Sequence, residues 1–118
     1  MRNFRDYDVW KRTIQFIKRI YLFTEKLPYK EKFNIISQVE SAAVSISSNI
    51  AEGSARSSEK DFARFIEFAL GSAFETENLL IIAKEVGYIQ EAHFISMVEE
   101  LQIIQKMLSS LYSKLKGK

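Results

Sequence analysis

The chemically densest stretch of this 118-residue chain is Asn49-Ile50-Ala51-Glu52-Gly53-Ser54-Ala55-Arg56-Ser57-Ser58. Asn49 and Glu52 stand three apart on one helix face, Arg56 is placed to fold back toward Glu52, and Ser57 and Ser58 sit where a following helix exposes free N–H groups. A helix start with an arginine and small residues suits an anion such as phosphate. The same groups also suit a polar network that locks the turn. Walker spacing is missing, so nucleotide hydrolysis is not indicated.

Other residues with chemical potential are few. Ser41, Ser45, Ser47 and Ser48 have no histidine in their own helix to activate them, and read instead as small residues that let helices approach. The single histidine, His93, has Gln90 three residues before it and Met97 four after. Two Glu-x-x-His pairs for a dinuclear carboxylate centre, or two histidines for haem, are therefore out of reach. With no cysteine in the chain, disulfides, thiolate metal sites and a thiol nucleophile are excluded. No catalytic residue, metal site or cofactor is expected.

Charge is distributed unevenly. The total is 17 Lys and Arg against 15 Asp and Glu, yet residues 1–30 hold eight of the cations and only three of the carboxylates. Lys11 and Lys18 repeat every seven residues, as do Arg5, Arg12, Arg19 and Lys26, so they form one basic face of a first helix. Residues 61–90 are acidic in balance. The basic face is either solvated, with partners on the acidic third helix, or a phosphate-contacting surface whose contacts with RNA or DNA would be Lys11, Arg12, Lys18 and Arg19.

The elements that must position these groups follow from the breakers. Four glycines and one proline in 118 residues are too few for a β-rich or loop-rich chain. Pro28, Gly53 and Gly87 divide the chain into strongly periodic blocks, predicting helices over about 8–26, 29–52, 58–86 and 90–115 in a single domain spanning 1–118. Asp6 or Asp8 is expected to cap the first helix, Gly53 to close the second in the left-handed region, and Ser58 to open the third. Connections this short force neighbours antiparallel. The fold class is all-α, an antiparallel up-down-up-down four-helix bundle. Gly71 lies mid-helix, which costs up to about 1 kcal/mol relative to alanine; with Ser72 and the facing Ala42 and Ala43 it marks an expected close helix contact.

The apolar arcs are wider than a bundle core requires. In the first helix Val9, Phe16, Ile20, Phe23 and Leu27 form a second strip beside the heptad-like Tyr7, Trp10, Ile14, Ile17 and Tyr21, and the third helix adds Ile66, Phe68, Leu70 and Phe74 to its main stripe. Surplus apolar surface points to self-association or to a protein partner. No apolar run reaches the length of a membrane span, and the charged start lacks a signal core, so the expectation is a cytoplasmic protein with no membrane partner.

The run from Gln38 to Gly53, followed by Arg56, Phe65 to Ala69 and Gly71-Ser72-Ala73-Phe74-Glu75, together with Val9-Trp10, Leu27-Pro28 and Gly87-Tyr88, resembles the four-helix-bundle proteins encoded by intervening sequences of bacterial large-subunit ribosomal RNA genes. The resemblance covers nearly the whole chain. It implies a bacterial up-down bundle that assembles as a ring-shaped homopentamer, related to the accessory variability determinant of diversity-generating retroelements, which binds a reverse transcriptase and nucleic acid. The role of the intervening-sequence members is not established, so the resemblance implies an assembly without naming a reaction. The functional expectation is a non-enzymatic homo-oligomeric scaffold or adaptor that presents a basic first helix to RNA or DNA; the alternative is a pure protein-interaction module without nucleic-acid binding.

Overall fold

The structure, a computed structural model, describes residues 2–117. Four helices, α1 (Asp8–Thr24), α2 (Ser37–Ser54), α3 (Glu59–Glu85) and α4 (Glu91–Lys116), form a rod 45 Å long. Sequential neighbours pack antiparallel, α2 most extensively on α3 and α3 on α4, while α1 closes the ring by lying against α2 and, more loosely, α4. α1 and α3 are thus diagonal. The lower end of the bundle holds the α2–α3 turn, and the upper end holds the α1–α2 and α3–α4 connections.

Two local features depart from the periodicity. Ser58 caps α3 as expected, its hydroxyl accepting from the Asp61 N–H at 3.0 Å. Neither Asp6 nor Asp8 caps α1, however: Tyr7 occupies the cap position, and Asn3 instead caps a short 3-10 turn over Phe4–Asp6. Nor does α2 begin after Pro28. Tyr29–Glu31 form a 3-10 turn and Lys32–Ile36 a π-type turn, in which Asn34 leaves helical geometry altogether (φ −117°, ψ −112°). A π turn holds one residue more than an α turn and so rotates the register. Phe33 within this turn is exposed and Ile35 is buried, and Val39, Ala42, Ala43, Ile46 and Ile50 follow at α spacing into the core.

The core is a continuous apolar cluster contributed by all four helices. In α1 the two apolar strips exchange ranks. Val9, Phe16, Ile20 and Phe23 are buried, whereas Trp10, Ile14 and Ile17 are only half-buried and Tyr21 is exposed. Both strips have helical spacing, so periodicity alone does not say which one α1 turns inward.

Two of the glycines also differ from expectation. Gly53 is buried inside α2, and a β-carbon built on it would meet Phe65 Cβ at 2.6 Å and Phe62 Cδ1 at 2.9 Å. It is therefore the close-approach glycine and not a left-handed cap. Among the described residues only Gly87 has a positive φ, 88°, ending α3. Gly71 faces open space, with nothing within 4 Å of the position a β-carbon would take, which corrects the close contact expected there. Of the other residues named for that contact, Ala42 and Ala43 are buried, and the Ser72 hydroxyl donates to Ser45 Oγ at 2.9 Å.

Candidate functional site

The turn between α2 and α3 is a clasp built by a residue that the sequence pattern does not single out. Arg2, brought back by the N-terminal strap, donates to the carbonyls of Ser54 (3.2 Å) and Arg56 (2.6 Å), pairs with Glu59 at 3.0 Å and lies over the Phe62 ring at 4.9 Å. Tyr7 meets the same Phe62 edge-on. The strap thereby supplies donors for carbonyls that the end of α2 leaves without helical partners.

The expected network of Asn49, Glu52, Arg56, Ser57 and Ser58 is not gathered into one site. Asn49 donates back to the Ser45 carbonyl at 2.9 Å and does not meet Glu52. Arg56 lies over the Phe65 ring at 4.4 Å instead of folding toward Glu52. Glu52 and Ser57 are exposed, and Ser58 is occupied in capping. With Arg2 already on the carbonyls, the turn is closed by protein groups and acts as a polar lock.

The basic face of α1 is divided. Lys11 and Arg12 are exposed along an open cleft of about 760 Å3 between α1 and α4, whose opposite wall carries Ser96, Glu99 and Glu100. Arg19, in the same cleft, donates to Glu100 at 2.6 Å and to Ser96 at 3.0 Å. Lys18 points to the other side of α1, beside Tyr21, Leu22, Glu25, Ile36 and Glu40. The ion-pair partner of α1 is α4 and not the acidic α3, because α3 lies across the diagonal of the bundle. Of the four cations, Lys11, Arg12 and Lys18 are exposed, and Arg19 is engaged.

His93 stands exposed in the first turn of α4 with its ring edge-on to Phe23, and its pKa is lowered by partial burial and by the nearby charges of Arg19 and Lys26. Tyr88 donates to Glu31 Oε2 at 2.7 Å, tying the two upper connections together; that bond to a carboxylate raises the pKa of the phenol. No cluster of three or more metal-ligating side chains occurs among the described residues, and no helix among them is long and apolar enough to cross a membrane.

What the bundle does segregate is surface character. Dividing each helix at mid-length, the lower half (residues 2–16, 46–72 and 104–117) has ten Lys and Arg against six carboxylates; the upper half (17–45 and 73–103) has six against nine. Apolar exposure runs the other way. Eleven of the twelve large exposed hydrophobic side chains are in the upper half, with Val44, Phe74 and Ile103 near the waist, and only Phe68 is in the lower. Phe33 and Tyr29 are the extremes, 82% and 78% exposed. The α1–α2 groove continues this surface through Tyr21, Ile36 and Val44.

The comparisons with known proteins agree with this architecture. Residues 5–110 match the 23S rRNA-intervening sequence proteins. The chain belongs to that family. A solved structure of similar fold is that of a protein of unknown function from the S23 ribosomal protein family of Bacteroides thetaiotaomicron, determined at 1.70 Å. It is 28% identical, covers 89% of this chain and 95% of its own, and superposes with a TM-score of 0.82. Among curated proteins none matches the sequence. The 23S rRNA-intervening sequence family thus accounts for the four-helix architecture and is named for no enzymatic reaction.

Proposed function

We propose that this intervening-sequence protein is a non-enzymatic, homo-oligomeric scaffold whose upper half carries the subunit contacts, in the pentameric ring that the family resemblance implies. The observation behind the reading is the concentration of exposed apolar side chains at one end. Leu22, Tyr29, Phe33 and Val86 are each more than half exposed and lie within the same upper region. Scattered surface hydrophobics need no explanation, but a concentration on one half of a small bundle marks an interaction surface.

Sedimentation velocity tests this. The wild-type chain is expected to sediment as an oligomer at micromolar concentration, and Leu22→Asp with Phe33→Asp to shift it toward monomer without loss of helical circular dichroism. A wild-type monomer at that concentration would sink the proposal. A second reading is favoured by the exposure of Lys11, Arg12 and Lys18 on α1: contact with RNA or DNA along the first helix. A gel shift with structured RNA, titrated with salt, separates it from a pure protein-interaction module, since only phosphate contacts weaken steeply with ionic strength.

A further inference from the structure

The carboxyl half of α4 contains no carboxylate after Glu100, yet carries Lys106, Lys114 and Lys116. None of these three is within ion-pair distance of a carboxylate among the described residues. Cations stand on both of its flanks as well. Toward α1, Ile103 and Met107 share the open cleft with Lys11 and Arg12. Toward α3, Tyr112 and Lys116 share a groove with Lys60 and Arg64. The carboxylates facing the same ground are Asp8 on one flank and Glu59, Asp61 and Glu67 on the other, and Glu59 is held by Arg2. Glu99 and Glu100 line the upper part of the cleft, and Glu100 is held by Arg19.

We propose that the lower end of the bundle, centred on the outer face of α4 from Lys106 to Lys116, is a surface for the sugar–phosphate backbone of nucleic acid. Lys106 to Lys116 spans about 15 Å of helix, roughly four base steps of a duplex strand. Exposed Ser109, Ser110 and Ser113 lie between the lysines, and backbone contacts are made by just this mixture of ammonium and hydroxyl donors. Compensation of the helix dipole accounts only for Lys114 and Lys116 in the last turn, leaving Lys106, Lys60 and Arg64 unexplained. Two of the cations rest against rings, Lys116 over Tyr112 at 6.0 Å and Arg64 over Phe68 at 5.9 Å. An anionic bilayer is the other polyanion such a patch could meet, but it needs apolar side chains to bury, and α4 beyond Ile103 exposes no large one.

This surface differs from the α1 face and shares with it only the ligand class, so the experiment separates the two. Full-length protein is titrated into a labelled hairpin RNA and a DNA duplex of equal charge, at several salt concentrations, by fluorescence anisotropy. Three variants are compared: Lys106→Gln with Lys114→Gln and Lys116→Gln; Lys11→Gln with Arg12→Gln and Lys18→Gln; and Lys26→Gln with Lys30→Gln and Lys32→Gln at the upper end. None of the substituted side chains belongs to the core, so helicity is expected to be unchanged, and sedimentation is measured alongside to separate loss of assembly from loss of phosphate contacts. The α4 variant is expected to lose about tenfold or more in affinity and to flatten the salt slope by about 2, while the upper-end variant stays within about twofold of wild type. Whichever nucleic acid binds more tightly identifies the source of the backbone. Equal losses in the α4 and upper-end variants would reduce the effect to net charge and overturn the proposal. A loss confined to the α1 variant overturns it while leaving the α1 reading intact. Absence of binding to either nucleic acid overturns both, and tighter binding to anionic vesicles than to either nucleic acid overturns the proposal too.

Discussion

The two ends of this bundle solve the same problem, how to turn a chain between helices, in opposite ways. At the lower end the turn is tight and internally satisfied: Gly53 lets α3 come within van der Waals distance of α2, and Arg2 takes up the free carbonyls. At the upper end the chain passes through a 3-10 and a π turn, leaves Tyr29 and Phe33 in solvent, and is tied to the opposite connection by the Tyr88–Glu31 bond. An end whose groups satisfy one another is a platform, on which charge can be displayed without cost to the core. An end that leaves apolar surface uncovered is the one where we propose that another subunit docks.

The contrast makes graded predictions. The largest effect is expected from Gly53→Ala, because its β-carbon would overlap Phe65 Cβ and Phe62 Cδ1. Overpacking of this kind costs about 1–3 kcal/mol, to be measured by urea denaturation. Neutral behaviour would show that the lower turn is loose enough to absorb a methyl group. Next is Arg2→Ala, which removes two carbonyl contacts and an ion pair from a partly exposed site; about 1 kcal/mol is expected, and faster amide exchange confined to the α2–α3 turn.

Gly71→Ala should act in the opposite direction and stabilise the chain by about 0.5–1 kcal/mol, since nothing lies within 4 Å of the new side chain and alanine is the better helix former. Should the substituted chain prove more stable but less associated in sedimentation, the open face at Gly71 belongs to a subunit contact, and the apolar region extends to the waist. The smallest effect concerns the upper end alone. Because burial and the charges of Arg19 and Lys26 lower the His93 pKa below 6.5, the folded chain binds that proton less readily than the unfolded one. Stability attributable to His93 is therefore full above pH 6.5 and declines as pH falls toward the lowered value. A slight acid-side loss of melting temperature that disappears in His93→Gln is expected; an identical profile in both proteins would show that His93 does not couple folding to pH.

Much of the fold is legible in the sequence because helical periodicity, three turn breakers and an N-capping serine are local signals. Gly87 and Ser58 act where the sequence places them. Gly53 takes the close-approach role that the sequence assigns to Gly71, since what distinguishes a close-approach glycine is the residue facing it, here Phe65 and Phe62 from the next helix. The π turn over Lys32–Ile36, with Asn34 outside helical geometry, has no local sequence signal, and Phe33 within it is exposed. The candidate site is less legible still. The α1 cations stand out by their seven-residue repeat, whereas Lys60 and Arg64 are scattered along a helix that is acidic in total. The one sequence signal for the α4 surface is the absence of carboxylates after Glu100.

By itself, the sequence determined that this chain is four antiparallel helices with an excess of apolar surface and a bias of charge among helices, because composition, periodicity and caps act within a few residues. Only the tertiary structure decided which apolar strip of α1 is core, that its ion-pair partner is α4, and that charge and apolar exposure separate toward opposite ends. Those outcomes depend on antiparallel packing, which brings residues near 10, 60 and 115 to one end and those near 25, 85 and 95 to the other, a juxtaposition that no local pattern encodes.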